Sequence, residues 1–248
     1  MPDSRKHRGK HPSDDKLFAP DQHSTLRNAV YDLSYLLTRG FSETAALKTV
    51  GDRYRLTQRQ RLAVQRASCP QQALNQRLHS QLDLEDLAGQ TIAIDGYNQL
   101  IALESALGNA YLFIGRDGCY RDLASLHGTY RKVEETIPAL QLLGTILNQL
   151  QIQRAIIYLD APVSNSRRLQ SLMMELAKQN QWNWQVEVQL QPDPLLARAP
   201  YPVITTDSWI LDRCHQWANL FPTVLQMAQL SPPIVDLQIR QVCAAEPF

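Results

Sequence analysis

Residues 91–101 read TIAIDGYNQLI, a short apolar run that ends in a carboxylate and is followed by a glycine and a helical pattern. This order predicts a buried strand, a turn at Gly96 and a helix. Residues 155–160 and 203–207 are apolar runs that also end in an aspartate. In open α/β sheets, ligands bind at the carboxyl ends of the strands. Asp95, Asp160 and Asp207 are therefore predicted to meet at one edge of a parallel sheet.

The chain divides into three parts by its pattern. Residues 1–20 are polar and lack periodicity, so we expect a disordered tail. Residues 21–86 show four helical patterns, which predict a small, basic all-α module resembling a helix-turn-helix arrangement. Residues 87–248 alternate between strand and helix patterns, which predicts an α/β domain with a mainly parallel sheet. In this domain we expect a polar loop over 115–122, a helix over 208–217 and a last, edge strand over 234–239.

Composition excludes several classes of protein. Apolar residues make up 44% of the chain and charged residues 20%, which is typical of a globular domain. No apolar run approaches the roughly 18 residues that span a bilayer, so we expect no membrane partner. Cys69, Cys119, Cys214 and Cys243 form no CxxC pair, which favours reduced thiols and a cytoplasmic protein. The glycine motifs of dinucleotide and P-loop sites are absent, as is the HExxH motif of zinc enzymes.

The charge is distributed unevenly along the chain. Residues 1–80 carry 14 Lys and Arg against 7 Asp and Glu, whereas residues 81–248 carry 11 against 17. A basic part beside an acidic one fits a polyanion held next to a cation. Five arginines of the helical module are candidates for nucleic-acid contact: Arg53, Arg55, Arg59, Arg61 and Arg66. A single-stranded track is also suggested by basic residues interleaved with aromatic ones, namely Arg116, Tyr120, Arg121, His127, Tyr130, Arg131 and Lys132. Solvated basic surfaces would give the same patterns.

The three strand-terminal aspartates are candidate metal ligands. Carboxylates that lie close together raise each other's pKa unless a cation compensates. Oxygen ligands of this kind favour Mg²⁺ or Mn²⁺, which activate water in phosphodiester hydrolysis. Asp193 follows another strand pattern and is a candidate fourth ligand. The alternative is that each aspartate caps the helix after its strand.

Candidate substrate contacts follow the strand that ends at Asp160. Ser164, Asn165, Arg167 and Arg168 lie at a predicted helix start, where free N–H groups and guanidinium groups bind phosphate. Asn98 and Ser164 are expected to orient water or phosphate. The alternative for Arg167 and Arg168 is that both are simply exposed to solvent, which fits the sequence equally well.

The residues at 94–98 resemble the DGYN signature of the NYN branch of PIN-like ribonuclease domains. Asp160 and the run 205–208 are similar to later acidic positions of that superfamily. The resemblance implies a Rossmann-like three-layer fold and metal-dependent cleavage of RNA. Several stretches also resemble an uncharacterised family of prokaryotic proteins known as a domain of unknown function: residues 32–37, 50–54, 94–98, 116–118, 127–131 and 161–166.

The sequence thus predicts a metal-dependent nuclease that acts on RNA. Two alternatives stay open, a non-catalytic RNA-binding or adaptor protein and a metal-dependent phosphatase acting on a small nucleotide. The pattern gives no oligomeric state.

Overall fold

A computed structural model of the protein describes residues 7–124 and 128–239. The helices of these ranges are α1 (Asp14–Leu17), α2 (His23–Thr38), α3 (Glu43–Arg53), α4 (Gln58–Ala67), α5 (Gln71–Ser80), α6 (Gly96–Leu107), α7 (Thr136–Gln149), α8 (Ser166–Asn180), α9 (Pro192–Ala197), α10 (Ser208–Leu211) and α11 (Phe221–Met227). Short 3₁₀ turns cover Pro20–Gln22 and Leu84–Leu87. The strands are β1 (Gln81–Leu82), β2 (Thr91–Asp95), β3 (Leu112–Ile114), β4 (Tyr120–Arg121), β5 (Arg154–Asp160), β6 (Trp184–Gln189), β7 (Val203–Ile204), β8 (Trp217–Ala218) and β9 (Ile234–Asp236).

The strands form two sheets. The larger sheet has six strands in the order β1-β8-β7-β2-β5-β6, and each pair of adjacent strands is parallel. The predicted α/β architecture with a mainly parallel sheet is confirmed. The smaller sheet has the order β4-β3-β9, with β3 antiparallel to β4 and parallel to β9. The predicted strand near residue 234 therefore exists, and it lies at an edge of this second sheet.

The apolar residues form two main cores. One lies around the six-stranded sheet, where β2 and β5 pack against α6, α7 and α8. The other lies inside the helical module and also takes in Phe113, Leu123, Val235 and Leu237, from the smaller sheet and its flanks. The helical module is therefore packed on the small sheet and shares its core with residues from the far end of the chain.

Gly96 allows α6 to begin in close contact with the neighbouring strand β5. A Cβ atom at this position would lie 2.7 Å from the carbonyl oxygen of Tyr158 and 2.7 Å from the Leu159 side chain. Because a backbone atom cannot move aside like a flexible side chain, only glycine fits here without a shift of β5 or α6. This close approach fixes the position of Asp95, the residue before it.

The structure differs from the prediction at the N-terminal stretch. From His7 onward the chain contacts the rest of the protein, whereas residues 1–6 lie outside the described ranges. Asp14 is buried in an ion pair with Arg59. Phe18 is buried with its ring centroid 4.7 Å from that of Phe113. Burial of the aromatic ring offsets the conformational entropy that a disordered tail would keep, and the Arg59 guanidinium compensates the burial of the Asp14 carboxylate.

Two further predictions were wrong in part: a distant contact places Trp217 in a strand, and a local hairpin takes up part of the predicted loop. The helix expected over 208–217 ends at Leu211, and Trp217 lies in β8 with its indole N–H donating to the Arg77 carbonyl oxygen at 2.7 Å. Of the polar loop expected over 115–122, residues 120–121 form β4, while residues 115–119 are the turn of a β3–β4 hairpin that uses Gly118 at φ +77°. Among the described residues, no helix is long and apolar enough to cross a membrane.

Candidate functional site

Four aspartates lie along the carboxyl edge of the six-stranded sheet. Asp95 ends β2 and Asp160 ends β5, while Asp207 follows β7 and Asp193 lies in the first turn of α9. Because β2 pairs in parallel with β5 on one side and β7 on the other, the ends of these strands are adjacent. We call these four residues the acidic edge.

Asp95 is held by two hydrogen bonds. Thr205 Oγ1 donates to its Oδ2 at 2.9 Å, and the Asn98 N–H donates to its Oδ1 at 3.3 Å. Burial raises the pKa of Asp95 to about 7; these hydrogen bonds oppose the rise, and the carboxylates of Asp207 and Asp193 add to it. Within the described ranges, no Lys or Arg forms an ion pair with this carboxyl group. At neutral pH the group is therefore close to the midpoint of its titration.

Asp207 is tied to Asp95 through Thr205. The buried Thr205 hydroxyl donates to Asp95 and accepts the Asp207 N–H at 3.0 Å. Asp207 Oδ1 accepts the N–H groups of Trp209 at 2.8 Å and Ile210 at 3.1 Å, so this residue caps α10. Sequence reasoning missed Thr205, although its position two residues before an aspartate is the signal that marks it.

Asp193 couples electrostatically to the other three carboxyl groups. Burial is the largest cause of its raised pKa and the Asp207 carboxylate is the second. Burial likewise raises the pKa of Asp160, with the Asp193 carboxylate adding to it. Asp193 also raises the pKa of Asp95, as Asp207 does directly. The acidic edge is therefore a set of mutually repelling carboxyl groups in which Asp193 interacts with each of the other three.

The acidic edge does not form a closed metal centre. In the ranges 7–124 and 128–239, no group of three or more His, Cys, Asp or Glu side chains is placed to hold a metal ion. Two of the predicted ligands also serve as helix caps, Asp95 on α6 and Asp207 on α10. Asp160 does not, since the N-cap of α8 is Asn165. A cation at this edge would have to complete its shell with water or substrate oxygens, as Mg²⁺ commonly does.

The Asn98 side chain holds the loop that follows β7. Its Oδ1 accepts the Thr206 N–H at 2.9 Å, the Thr206 hydroxyl at 3.1 Å and the Gln99 amide at 2.8 Å. The carbonyl oxygen predicted to orient water or phosphate is therefore engaged in holding the loop after β7. Within the described residues, the side-chain amide nitrogen of Asn98 donates no hydrogen bond and is left for a ligand.

The predicted substrate contacts lie around the start of α8. Asn165 adopts a left-handed conformation at φ +72°, and its amide donates to the Tyr130 carbonyl oxygen at 2.9 Å. Ser164 is exposed and bridges to Thr129 through its backbone. Arg167 and Arg168 are both exposed. Of this group, Asn165 is thus a structural tie, whereas Ser164 and the two arginines present their side chains to solvent.

Two hollows adjoin the acidic edge. The first has a volume of about 360 Å³ and lies between the helical module and the sheet edge, with Arg66 and Gln65 on one wall and Asn98 and Asp207 on the other. The second has a volume of about 330 Å³ and is lined by Asp160, Asp193, Trp209 and neighbouring prolines. The turn from Asp207 to Trp209 separates them, since its first residue faces one hollow and its last faces the other.

A buried ion network supports this turn from behind. Asp117 accepts two hydrogen bonds from Arg121, at 2.8 and 2.7 Å, and one from Arg77. Arg121 Nε also donates to the Thr206 carbonyl oxygen at 3.0 Å, and Arg77 to that of Ser208 at 3.3 Å. Burial alone would raise the pKa of Asp117, but Arg121 and Arg77 outweigh it and hold that pKa well below its usual range. No local pattern in the sequence signals this network.

Most residues of the predicted basic surfaces are committed to the fold. Four arginines of the helical module form ion pairs: Arg53 with Asp32, Arg59 with Asp14, Arg61 with Asp52 and Arg66 with Asp122. In the predicted single-stranded track, Arg121 and Tyr130 are buried and Arg116 donates to the Cys69 carbonyl oxygen. His127 lies outside the described residues. Of the track, Arg131 and Lys132 stay exposed, so it is not a continuous basic surface.

The profile of a family described as a domain of unknown function, DUF5616, matches residues 84–222, more than half of the chain. The chain belongs to this family. The predicted membership of a domain-of-unknown-function family is thereby confirmed. The DUF5616 segment contains the whole acidic edge, and a second profile, described as a protein of unknown function, DUF434, matches residues 25–79 in the helical module. The ion network joins the two segments, since Arg77 lies in the second and Asp117 in the first.

One relative is the Uncharacterized protein MJ0935 of Methanocaldococcus jannaschii. It is 34% identical over 154 residues, which cover 62% of this chain and 74% of the relative. No solved structure matches the chain.

Proposed function

We propose that this chain is a metal-dependent nuclease that hydrolyses phosphodiester bonds of RNA at the acidic edge. The observation that carries the proposal is Asp95, a half-buried carboxyl group with a pKa of about 7, no cationic partner among the described residues, and the carboxylates of Asp207 and Asp193 near it. A group with these properties is a candidate functional residue, and its neighbours Asn98 and Asp207 line the first hollow. A cation that approaches this edge would relieve the repulsion.

The position of Asp95 in the sheet supports the proposal. From β2 the chain moves to β5 and β6 on one side, and then returns to β7 and β8 on the other. The strand order therefore reverses between β2 and β7, and crevices at such switch points are where α/β sheets bind ligands. Thr205 joins the two strand ends at this crevice. The resemblance of residues 94–98 and 205–208 to PIN-like domains points to the same place.

The donor chemistry fits Mg²⁺ or Mn²⁺, because the acidic edge offers only hard oxygen ligands. Asp95, Asp160, Asp193 and Asp207 are the proposed ligands; since no three of them are placed to hold an ion together within the described ranges, at most two would bind it at once and water or substrate oxygens would complete its shell. A bound ion would supply an activated water and stabilise charge on a phosphate. Thr205 keeps the Asp95 carboxyl oriented, and Asn98 holds the loop that carries Asp207. An ion bound here would lower the pKa of Asp95 and release its proton.

The start of α8 supplies the side chains proposed to bind the RNA backbone. Arg167 and Arg168 are exposed in the first turn of this 15-residue helix, and no side chain of its N-cap residue occupies the N–H groups. Guanidinium groups and free N–H groups of this kind bind phosphate oxygens. Ser164, also exposed, adds a hydroxyl group beside them.

Two other functions each have one observation in their favour. Asp95 and Asp207 act as helix caps, which is what an RNA-binding or adaptor protein without catalysis would keep. The first hollow, of about 360 Å³, falls in the size range of small-ligand sites, which favours a phosphatase acting on a small nucleotide.

The test is RNA cleavage with and without Mn²⁺ by the wild type, Asp95→Asn, and Asp52→Asn as a control. Asp52 is an exposed aspartate paired with Arg61, remote in sequence from the acidic edge. We expect Mn²⁺-dependent cleavage by the wild type and the control, and a rate at least about 100-fold lower for Asp95→Asn. A nucleoside monophosphate offered in parallel separates a nuclease from a phosphatase. Equal RNA cleavage by Asp95→Asn and the wild type would reject the mechanism, and no cleavage by either would favour the adaptor.

A further inference from the structure

The second hollow beside the acidic edge contains an exposed tryptophan. Trp209 is 43% exposed, although it lies in a helix whose next two residues are buried. It lines the hollow of about 330 Å³ together with Asp160 and Asp193. A tryptophan left open to solvent beside polar groups is typical of a binding surface, because its burial in the fold would have been favourable.

The Trp209 ring is held in place from two directions. Its backbone N–H donates to Asp207 at 2.8 Å, so the turn that carries the ring is fixed to the acidic edge. The Arg213 guanidinium lies over the ring, 4.3 Å from the centroid, and donates to the Trp209 carbonyl oxygen at 3.0 Å. The ring therefore loses little conformational entropy when a flat ligand stacks on its open surface.

We infer that Trp209 and Arg213 form a stacking subsite for an unpaired nucleobase next to the acidic edge. The inference rests on the proposed function and narrows it to single-stranded RNA. A base in a duplex already stacks on its neighbours, whereas an unpaired base is free to stack on an aromatic ring. Arg213 adds a positive charge for the adjoining phosphate. Leu190, Pro192 and Pro194 give the hollow apolar walls that exclude water from the stack.

The competing occupant is a protein partner. Leu190 is 76% exposed on the same hollow, and an apolar docking face would use it as much as the tryptophan. A stacking subsite depends on the π-system of Trp209 and not on the aliphatic side chain of Leu190. Leu190→Ala is therefore the matched control for Trp209→Ala.

The experiment measures binding of a labelled ten-nucleotide single-stranded RNA by fluorescence anisotropy. The full chain is used with Ca²⁺ present, and the RNA length is checked afterwards. We expect binding about tenfold weaker for Trp209→Ala, two- to threefold weaker for Trp209→Phe, and less than twofold weaker for Leu190→Ala. The melting temperature should hardly change in any variant, since Trp209 is exposed and the N–H group that Asp207 accepts is kept.

RNAs with a single abasic residue at successive positions locate the stacked base. At that position Trp209→Ala should cost no further affinity, because the partner of the ring is already absent. Full additivity at every position would overturn the inference. So would equal binding by the wild type and Trp209→Ala, equal losses for Trp209→Ala and Leu190→Ala, or no binding of single-stranded RNA by the wild type.

Binding and cleavage fail separately. RNA bound in a Trp209-dependent manner but left uncut would keep the stacking subsite and remove the nuclease. RNA cut by the wild type and bound equally well by Trp209→Ala would keep the nuclease and remove the subsite.

Discussion

Asp117 is buried and Asp95 is half-buried, and their surroundings shift the pKa values of the two carboxyl groups in opposite directions. Asp117 contacts the guanidinium groups of Arg77 and Arg121, which hold its pKa below the usual range. Asp95 instead accepts hydrogen bonds from the Thr205 hydroxyl and the Asn98 N–H. Burial, with a contribution from neighbouring carboxylates, raises its pKa to about 7. Burial alone would raise both pKa values, so the difference comes from the partners. A buried carboxylate with its cations supplied by the chain is structural, whereas one without them is open to an outside cation.

The two sites are also mechanically connected. Arg121 and Arg77, the partners of Asp117, donate to the carbonyl oxygens on either side of Asp207. The ion network around Asp117 therefore supports the turn that carries Asp207, a member of the acidic edge. Since Arg77 lies in the helical module, that module contributes directly to the geometry of the acidic edge.

The largest effect is expected for Asp117→Asn. Removing this charge leaves two buried guanidinium groups without their common partner, and breaking a buried ion pair in this way costs about 3–5 kcal/mol. Urea unfolding should show this loss in the free energy of unfolding, while Asp52→Asn should change it little because its pair is exposed. A loss no larger than that of the control would mean that the cluster does not brace the fold.

An intermediate effect is expected from the titration of Asp95. The pKa is about 7 in the folded chain and about 3.9 in an unfolded one, so the folded chain binds more protons between these values. Stability from this group is therefore complete below about pH 4 and is lost as the pH rises through 7. Thermal unfolding from pH 5 to pH 8 should show the loss in the wild type and a flatter profile in Asp95→Asn.

Added Mn²⁺ sharpens the same measurement. At pH 8 an ion that binds the folded chain alone raises the melting temperature of the wild type by mass action. Asp95→Asn should show a smaller rise. Equal rises in both proteins would place the ion elsewhere, and parallel pH profiles without metal would contradict the titration of Asp95.

The smallest effect on stability, and a distinct effect on RNA binding, is expected at the exposed arginines. Arg167→Gln combined with Arg168→Gln should leave the melting temperature unchanged, reduce the affinity for single-stranded RNA and lower the salt dependence of binding. Arg59→Gln should instead lower the melting temperature and leave RNA affinity and its salt dependence unchanged, because it removes the ion-pair partner of the buried Asp14. Anisotropy titrations at several salt concentrations measure RNA affinity and its salt dependence for both variants. An unchanged salt dependence in the double variant would mean that Arg167 and Arg168 do not contact the RNA.

Local and periodic features of the fold were predictable from the sequence. Thr57 and Gln60 form the capping box that opens α4, because all of its partners lie within four residues. The strand ends at Asp95 and Asp160 were predictable because apolar runs and the parallel arrangement fix them. The residues that the fold brings together over long separations were not. Trp217 forms β8 instead of ending a helix, since its contacts are with β1 and Arg77.

The character of the charged residues was the hardest to predict. Arg121 lies in a polar stretch and has the pattern of a solvent-facing residue, but the hairpin turns it inward onto Asp117. Asn98 belongs to the signature around Asp95, yet its oxygen is used by Thr206. Composition does not distinguish an arginine that meets a ligand from one that meets a buried carboxylate, because both require the same polar sequence around them.

The strand β9 has a consequence for how the chain is made. It pairs in parallel with β3, and Val235 and Leu237 complete the core of the helical module. The helices near the N-terminus therefore leave the ribosome long before the residues that close their core. Until those residues emerge, the module exposes apolar surface that attracts chaperones or other nascent chains. Synthesis and folding of this protein are thus coupled at the last strand, and nascent chains stalled before residue 234 should be more sensitive to protease in α2 and α4 than complete ones.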